Sequence, residues 1–324
     1  MDRRTFWLGA SCAALIPVTV RAADIFPAKS VKIISPYAAG GGPDVQLRQL
    51  GPSMGEALKQ SVVIENKVGA GGVLAAQFVA GAAPDGYTLL MGSNTHLIQK
   101  SLQPALKFDP VTDFVGVSNM AASPTVLVVN AESPYRSVEE LVTAARKSAA
   151  GMNYGSGGIG TSAHLAGATF STLHKLNVTH VPLKGSVEIA SSLLRGDTQF
   201  AFPVAGTGVP HVKGGKLRAL AVTSRQRLAQ LPDVPTLHEI MNNELTVQES
   251  WFGIWAPAKT PADVVATLHA AVVAGLKQPQ IRNASELAGN LAVPSESPQA
   301  FTDFVRSEQK KWADIVRLTG TTAN

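Results

Sequence analysis

The stretch 35-SPYAAGGGPDVQLR-48 sets three consecutive glycines, Gly40 to Gly42, between an apolar run and a helix. The run before it, 31-VKIISP-36, is β-branched and reads as a buried strand. Pro43 and Asp44 follow the glycines and suit a first helical turn. A strand, a glycine turn and a helix N-terminus together present unpaired N–H groups and the positive end of a helix dipole. Such a unit takes an anion. Two candidates are open: a nucleotide phosphate inside the cell, or a carboxylate outside it.

Around this unit the chain alternates strands and helices. A helix is expected at about 43–59, a strand at 60–67 (QSVVIENK), an alanine-rich helix at 72–82 after GAGG, and a strand at 87–93 (YTLLMGS). That βαβαβ order argues for a parallel sheet covered by helices. A second set starts at 125-TVLVVN-130. Ser137 and Glu140 make a capping-box pattern ahead of a helix. MNYGS, a helix at about 161–175, VTHVPL, a helix at about 185–195, TQFAFPV and LRALAVT follow, then the apolar strand QESWFGIWAP. From Pro261 the pattern is helical. It ends in a helix from Pro298 to Leu318 patterned on Phe301, Phe304, Val305, Trp312, Ile315 and Val316. At roughly 100–150 residues per domain, two domains are expected.

The opening MDRRTFWLGASCAALIPVTVRAAD combines Arg3-Arg4, an apolar run from Phe6 to Val20 and a Val20-Arg21-Ala22 cleavage site. This is an export signal over residues 1–22, which places the product in the periplasm. Arg3-Arg4 followed by Thr5-Phe6-Trp7-Leu8 fits the twin-arginine route, and an ordinary Sec signal fits equally. No later stretch approaches the roughly 20 apolar residues of a membrane span.

Cleavage removes Asp2, Arg3, Arg4, Arg21 and the sole cysteine, Cys12, and takes the formal net charge from +5 to +3. Neither a disulfide framework nor a thiol nucleophile remains. Lysines and arginines are scattered, not gathered in a basic stripe, so nucleic acid is not an expected partner. The seven histidines contain no His-x-x-x-His pair, and no metal site is expected. There is no Gly-x-Ser-x-Gly elbow, and the first glycine loop lacks the Gly-Lys-Ser/Thr end of a P-loop. No catalytic residue and no cofactor are expected.

A second glycine loop, 155-GSGGIG-160, lies between a short strand and a helix. It matches Gly-x-Gly-x-x-Gly, but a dinucleotide site wants an acidic residue about 20 positions on. That region reads NVTHVPLKGS, without an acid. The loop is better read as a second anion cradle, with glycines for close approach and hydroxyls on Ser156, Thr161 and Ser162. Two such loops, one per expected domain, suggest a cleft that grips a small carboxylate from both sides.

The segments PYAAGGGPDVQLR, VVIENKVGAGGVLAAQFVAGAAPDGYTLLMGS, NYGSGGIGTSAHLAG, HVPLKGS, GGKLRALAVTSRQRLAQLPDVPTLHE and SWFGIWAPAKTP run in order along the mature chain. In them the sequence resembles the Bug family, the extracytoplasmic solute receptors of tripartite tricarboxylate transporters. The resemblance implies an α/β, two-domain periplasmic binding protein of type II, a Venus flytrap with its ligand cleft between domains. It implies domain 1 at 23–123 plus 251–324, domain 2 at 124–250, and crossings near 120–127 and 248–255.

The resemblance further implies a carboxylate held between the two glycine loops, largely on main-chain N–H groups. Carried over by position, the first loop contributes Tyr37, Ala38, Ala39, Gly40 and Gly41, with Asp44 beside them. The loop after the third strand adds Ser93, Asn94 and Thr95. The second domain contributes Ser156, Gly157, Gly158, Gly160, Thr161 and His164, and PLKGS adds Lys184 and Gly185. Asp44 favours the helix dipole and organises its loop better than it meets a carboxylate. His164 reads either as a ligand contact or as a satisfied interior histidine. Lys184 reads as a cationic anchor or as a solvated loop lysine.

Three positions depart from the family pattern: Leu183 where Tyr is frequent, Pro43 where Thr is usual, and Pro203 where Asp is common. These losses of polar groups disfavour an ammonium-bearing ligand. The expected molecule is a monomeric, non-catalytic receptor that delivers a mono- or dicarboxylic acid to the membrane permease subunits of such a transporter. An exported α/β enzyme acting on a small carboxylate and an orphan binder used in signalling stay open as other classes.

Overall fold

The computed structural model describes residues 26–323 apart from 38, 41, 184, 185 and 288. The expected signal at 1–22 lies outside the described residues, as do Ala38, Gly41, Lys184 and Gly185.

The chain first lays down β1 (Val31–Ser35), α1 (Gly42–Leu58), β2 (Val62–Asn66), α2 (Val73–Ala80), β3 (Thr88–Ser93), α3 (Asn94–Leu102) and β4 (Phe114–Pro124). It continues through β5 (Val126–Asn130), α4 (Val138–Lys147), β6 (Met152–Ser156), α5 (Ser162–His174), β7 (Val178–Pro182), α6 (Ser186–Arg195), β8 (Phe200–Ala201), α7 (Ala205–Lys213), β9 (Leu217–Val222) and α8 (Leu237–Met241). It closes with β10 (Glu249–Pro257), α9 (Ala262–Leu276), α10 (Pro279–Leu287), β11 (Leu291–Ala292) and α11 (Pro298–Thr319).

The strands form two sheets, ordered β11-β4-β10-β3-β1-β2 and β7-β6-β8-β5-β9. In the first, β1 runs parallel to β2 on one side and β3 on the other, and β10 is antiparallel to β3. In the second, β6 runs parallel to β7 and β8, and β5 is antiparallel to β8. Each sheet thus contains the same parallel βαβαβ unit, wound outward in both directions from β1 in the first and from β6 in the second. That winding leaves a crevice at the carboxyl ends of β1 and β3, and another at those of β6 and β8. Both glycine loops of the sequence sit at such a switch point.

Among the described residues the chain passes between sheets twice. β4 ends at Pro124 in the first sheet and β5 begins at Val126 in the second. The return runs through Gln248 into β10. The two passages are tied together at Thr223: its Oγ1 accepts the Thr125 N–H at 2.9 Å, and its carbonyl accepts the Gln248 N–H at 2.9 Å.

One face of the first sheet is covered by α1 and α9, the other by α2, α3 and α11. The second sheet packs α4 and α5 on one face and α6 and α7 on the other. α11 starts on the Ser297 cap, whose side chain accepts the Ala300 N–H, with Pro298 in the first turn. It ends on left-handed Gly320. Its Phe301, Val305, Trp312 and Ile315 are buried, as the sequence pattern expects. Gly253 of β10 makes room for this helix: a Cβ there would lie 2.2 Å from Phe301 Cζ.

Candidate functional site

The first loop is built around Asp44, which is fully buried in the first turn of α1. Its Oδ2 accepts the Gly40 N–H at 2.9 Å and Arg48 Nε at 2.8 Å, and its Oδ1 accepts Asn66 Nδ2 at 2.6 Å. Asn66 also donates to the Tyr37 carbonyl at 2.9 Å, so both ends of the loop are held. Burial works against ionisation of Asp44. The hydrogen bonds from Arg48, Asn66 and Gly40, with the Arg48 charge, outweigh it and hold the carboxyl below its ordinary range. The carboxylate is therefore spent on the loop. Ala39 and Gly40 are exposed, and Gly40, at φ +79°, has open space where a Cβ would stand.

The end of β3 supplies the neighbouring wall. Ser93 caps α3, and its N–H donates to His96 Nδ1 at 3.1 Å. The Tyr37 hydroxyl donates to Ser93 Oγ at 3.0 Å. Burial pushes the Tyr37 hydroxyl up to about 12, against hydrogen bonds to Ser93 and Thr95. Tyr37 stands edge-on to Phe252 at 5.6 Å between ring centres.

In the second sheet, β6 ends at fully buried Ser156. Ser156 Oγ accepts the Gly158 N–H at 3.1 Å and lies 2.6 Å from His180 Nε2. Thr161 caps α5: its hydroxyl accepts the His164 N–H at 3.3 Å and donates to the Gly158 carbonyl at 2.8 Å. His164 Nδ1 accepts the Gly160 N–H at 3.1 Å, which leaves the ring proton on Nε2. His164 and His180 stack at 4.0 Å, and Tyr154 stacks on His180 at 4.9 Å. Both histidines are lowered to about 4, His180 by burial and His164 by burial first and the neighbouring His180 second. His164 is thus tied to its own loop through Nδ1, and both sequence readings of it stay open. Gly158, at φ +116°, faces open space, with only the Leu183 carbonyl at 3.9 Å from a Cβ.

The two loops meet through α3. Asn94 Nδ2 donates to Ser162 Oγ at 2.9 Å, from the first helix turn of one side to that of the other. A Cβ on Gly160 would lie 2.9 Å from Gln99 Nε2 and 3.1 Å from Leu102 Cδ1. A third glycine turn, Gly69 to Gly72, joins the crevice with Gly71 beside Gln99 and Gly72 beside His96. Its residues take positive φ in succession: Gly69 139°, Ala70 49°, Gly71 61° and Gly72 90°.

Sequence reasoning missed His180, Gln99, Asn66 and this third turn as parts of the site. GAGG was a signal for the turn. The others act across 24, 61 and 22 residues of chain and leave no local pattern. Ser156 and His180 also have the spacing of a nucleophile and base. Ser156 is sealed, its oxygen already accepts Gly158, and no carboxylate hydrogen-bonds His180 among the described residues. No group of three or more metal-ligating side chains occurs among the described residues.

A family model described as tripartite tricarboxylate transporter family receptor matches residues 46–321. The chain belongs to that family. Among solved structures, this receptor is 30% identical to the periplasmic binding protein BugD, over 92% of this chain and 99% of that one, with a TM-score of 0.78. It is 30% identical to Rpa4515 of R. palustris, solved with adipate, over 92% and 99%, with a TM-score of 0.80. It is 31% identical to MatC of Rhodopseudomonas palustris, solved with malate, over 90% and 100%, with a TM-score of 0.77. The receptor is thus a periplasmic solute-binding protein with the two-domain fold of that class. No helix among its described residues is long and apolar enough to cross a membrane.

Proposed function

We propose that this receptor binds a small mono- or dicarboxylic acid in the crevice between its two sheets and delivers it to a membrane permease. The observation that carries the reading is the pair of positive-φ glycines, Gly40 and Gly158, each facing open space beside a helix N-terminus. Their loops are stiffened by Asp44 on one side and by Ser156, Thr161 and His164 on the other. The N–H groups of Gly40, Gly158 and Gly160 are spent on holding the loops, so the donors offered to a carboxylate are the other main-chain N–H groups of the two turns and helix N-termini, and relatives solved with adipate and malate support that class. On this reading residues 1–22 are the export signal. Domain 1 is 23–123 plus 251–324, domain 2 is 124–250, and the passages at Thr125 and Gln248 are the hinge. Ala38, Gly41, Lys184 and Gly185 stay in the proposal as expected ligand contacts from the sequence alone.

The test is calorimetry of residues 23–324 with adipate, malate and succinate, and with aspartate as the amine-bearing counterpart of succinate, at one pH and salt. The expected result is binding of at least one acid, with succinate tighter than aspartate. Acid recovered chemically unchanged is expected of a receptor, and turnover would establish an enzyme. Tighter aspartate binding would sink the amine-free preference.

A further inference from the structure

Gln99 lies on the second turn of α3 and is only 9% exposed. Gln103 Nε2 donates to its Oε1 at 3.1 Å, which leaves Nε2 as the free end of the amide. That nitrogen stands at the seam between the two halves. A Cβ on Gly71 would lie 2.7 Å from it, and one on Gly160 2.9 Å. Gly71 belongs to the turn after β2 and Gly160 to the loop after β6, so glycine backbone from both sheets closes on one carboxamide. Nε2 makes no hydrogen bond within the described residues, yet it is not among the sealed unpartnered atoms and so still touches open space. That donor has no acceptor among the described residues and is open to an oxygen arriving in the crevice.

We infer that Gln99 is a ligand-contacting residue, whose carboxamide nitrogen donates to an oxygen of the bound acid between the two domains. This rests on the carboxylate reading above and deepens it. The glycine rims supply backbone donors for one carboxylate, and Gln99 supplies a side-chain donor at the place where the halves meet. An –NH2 group suits a carboxylate, hydroxyl or keto oxygen and meets an ammonium donor to donor. Gln99 therefore selects for acceptor oxygen at the buried end of the ligand.

The experiment titrates wild type, Gln99→Glu and Gln99→Leu with adipate, malate and succinate at pH 7. Gln99→Glu places a like charge at the seam and is expected to weaken the acid that wild type binds best by roughly 30-fold or more. Gln99→Leu, which only deletes the donor, is expected to weaken it roughly 5- to 10-fold. Gln280→Glu, an equal charge change on exposed α10, is expected to bind as wild type does. Should Gln99→Glu fold poorly, the Gln99 side-chain amide of wild type still reports: its NMR resonances are expected to shift on addition of the acid. Binding by both Gln99 variants within twofold of wild type, or an unmoved Gln99 amide, overturns the inference alone. Wild type that binds none of the three acids removes the carboxylate reading, and this inference with it.

Discussion

At the scale of single residues, the site is held by groups that must stay in one charge state. His96, His164 and His180 are all lowered to about 4 by burial, against an ordinary value of 6.5. Two of them accept backbone N–H bonds at Nδ1, which a protonated ring cannot do. The unfolded chain binds these protons near pH 6.5 and the folded chain only near pH 4, so stability falls as pH drops through that window. For His164 the loss amounts to on the order of 2–3 kcal/mol. The melting temperature is therefore expected to fall between pH 6.5 and 4.5. His164→Asn, whose amide oxygen can still accept the Gly160 N–H, is expected to flatten that fall. An equal slope in the variant would show that His164 is not among the groups responsible. Asp44 was legible in the sequence because its partners, Gly40 and Arg48, lie within one helical turn. His180 was not, because its role exists only once β6 and β7 pair and bring Tyr154 opposite it.

At the scale of elements, the strongly patterned pieces were legible and the uniformly buried ones were not. α4 and α11 carry their caps and apolar stripes in the sequence: α4 starts on the expected Ser137 cap, and α11 forms within a residue of the expected bounds. α3 was not read, because it is buried on most sides and shows no clean polar face. β4 was not read either: it is buried along nearly its whole length, and its Gly116, Ser118 and Asn119 break any run of apolar residues. TQFAFPV contributes only a two-residue strand, paired at Tyr154 and Gly155 on one side and at Val128 on the other. α11 is also pinned by chemistry that no pattern reveals. Glu308 is buried, and its Oε2 accepts Trp251 Nε1 at 2.8 Å and Trp312 Nε1 at 3.0 Å while Lys311 pairs with its Oε1. One carboxylate thus ties α11 to β10 beside the passage between sheets. Glu308→Ala leaves two indole donors and a cation unpaired and is expected to cost about 3–5 kcal/mol in urea unfolding. Glu308→Gln keeps an acceptor and is expected to cost less than half of that. Equal losses would mean that packing, not the hydrogen bonds, sets the value.

At the scale of the whole molecule, contacts between the two halves flank the passages on both sides. In the first sheet, β4 and β10 lie between β11 on one side and β3 and β1 on the other. The glycine loops and Gln99 are on the β1 side. On the β11 side, Gly289 meets the start of α7, where a Cβ would lie 2.4 Å from Gly206 N, and Gln230 Nε2 donates to the Glu286 carbonyl at 3.4 Å. A groove of about 810 Å³ adjoins this contact, between α7 and α10. If the halves pivot about the passages, widening the gap on the β11 side narrows the crevice on the β1 side. Gly289 has φ +70°, so the wedge to insert is asparagine, which tolerates that backbone while its Cβ pushes against α7. Gly289→Asn is expected to shrink the ligand-free radius of gyration in small-angle scattering and to tighten binding of adipate or whichever acid binds several-fold, with no change at the site itself. Pre-paying part of the closing cost raises apparent affinity by the gain in the closed population. An unchanged radius with weaker binding would mean that the wedge is absorbed within α10 and β11, and that the two sides of the molecule are not coupled through the passages.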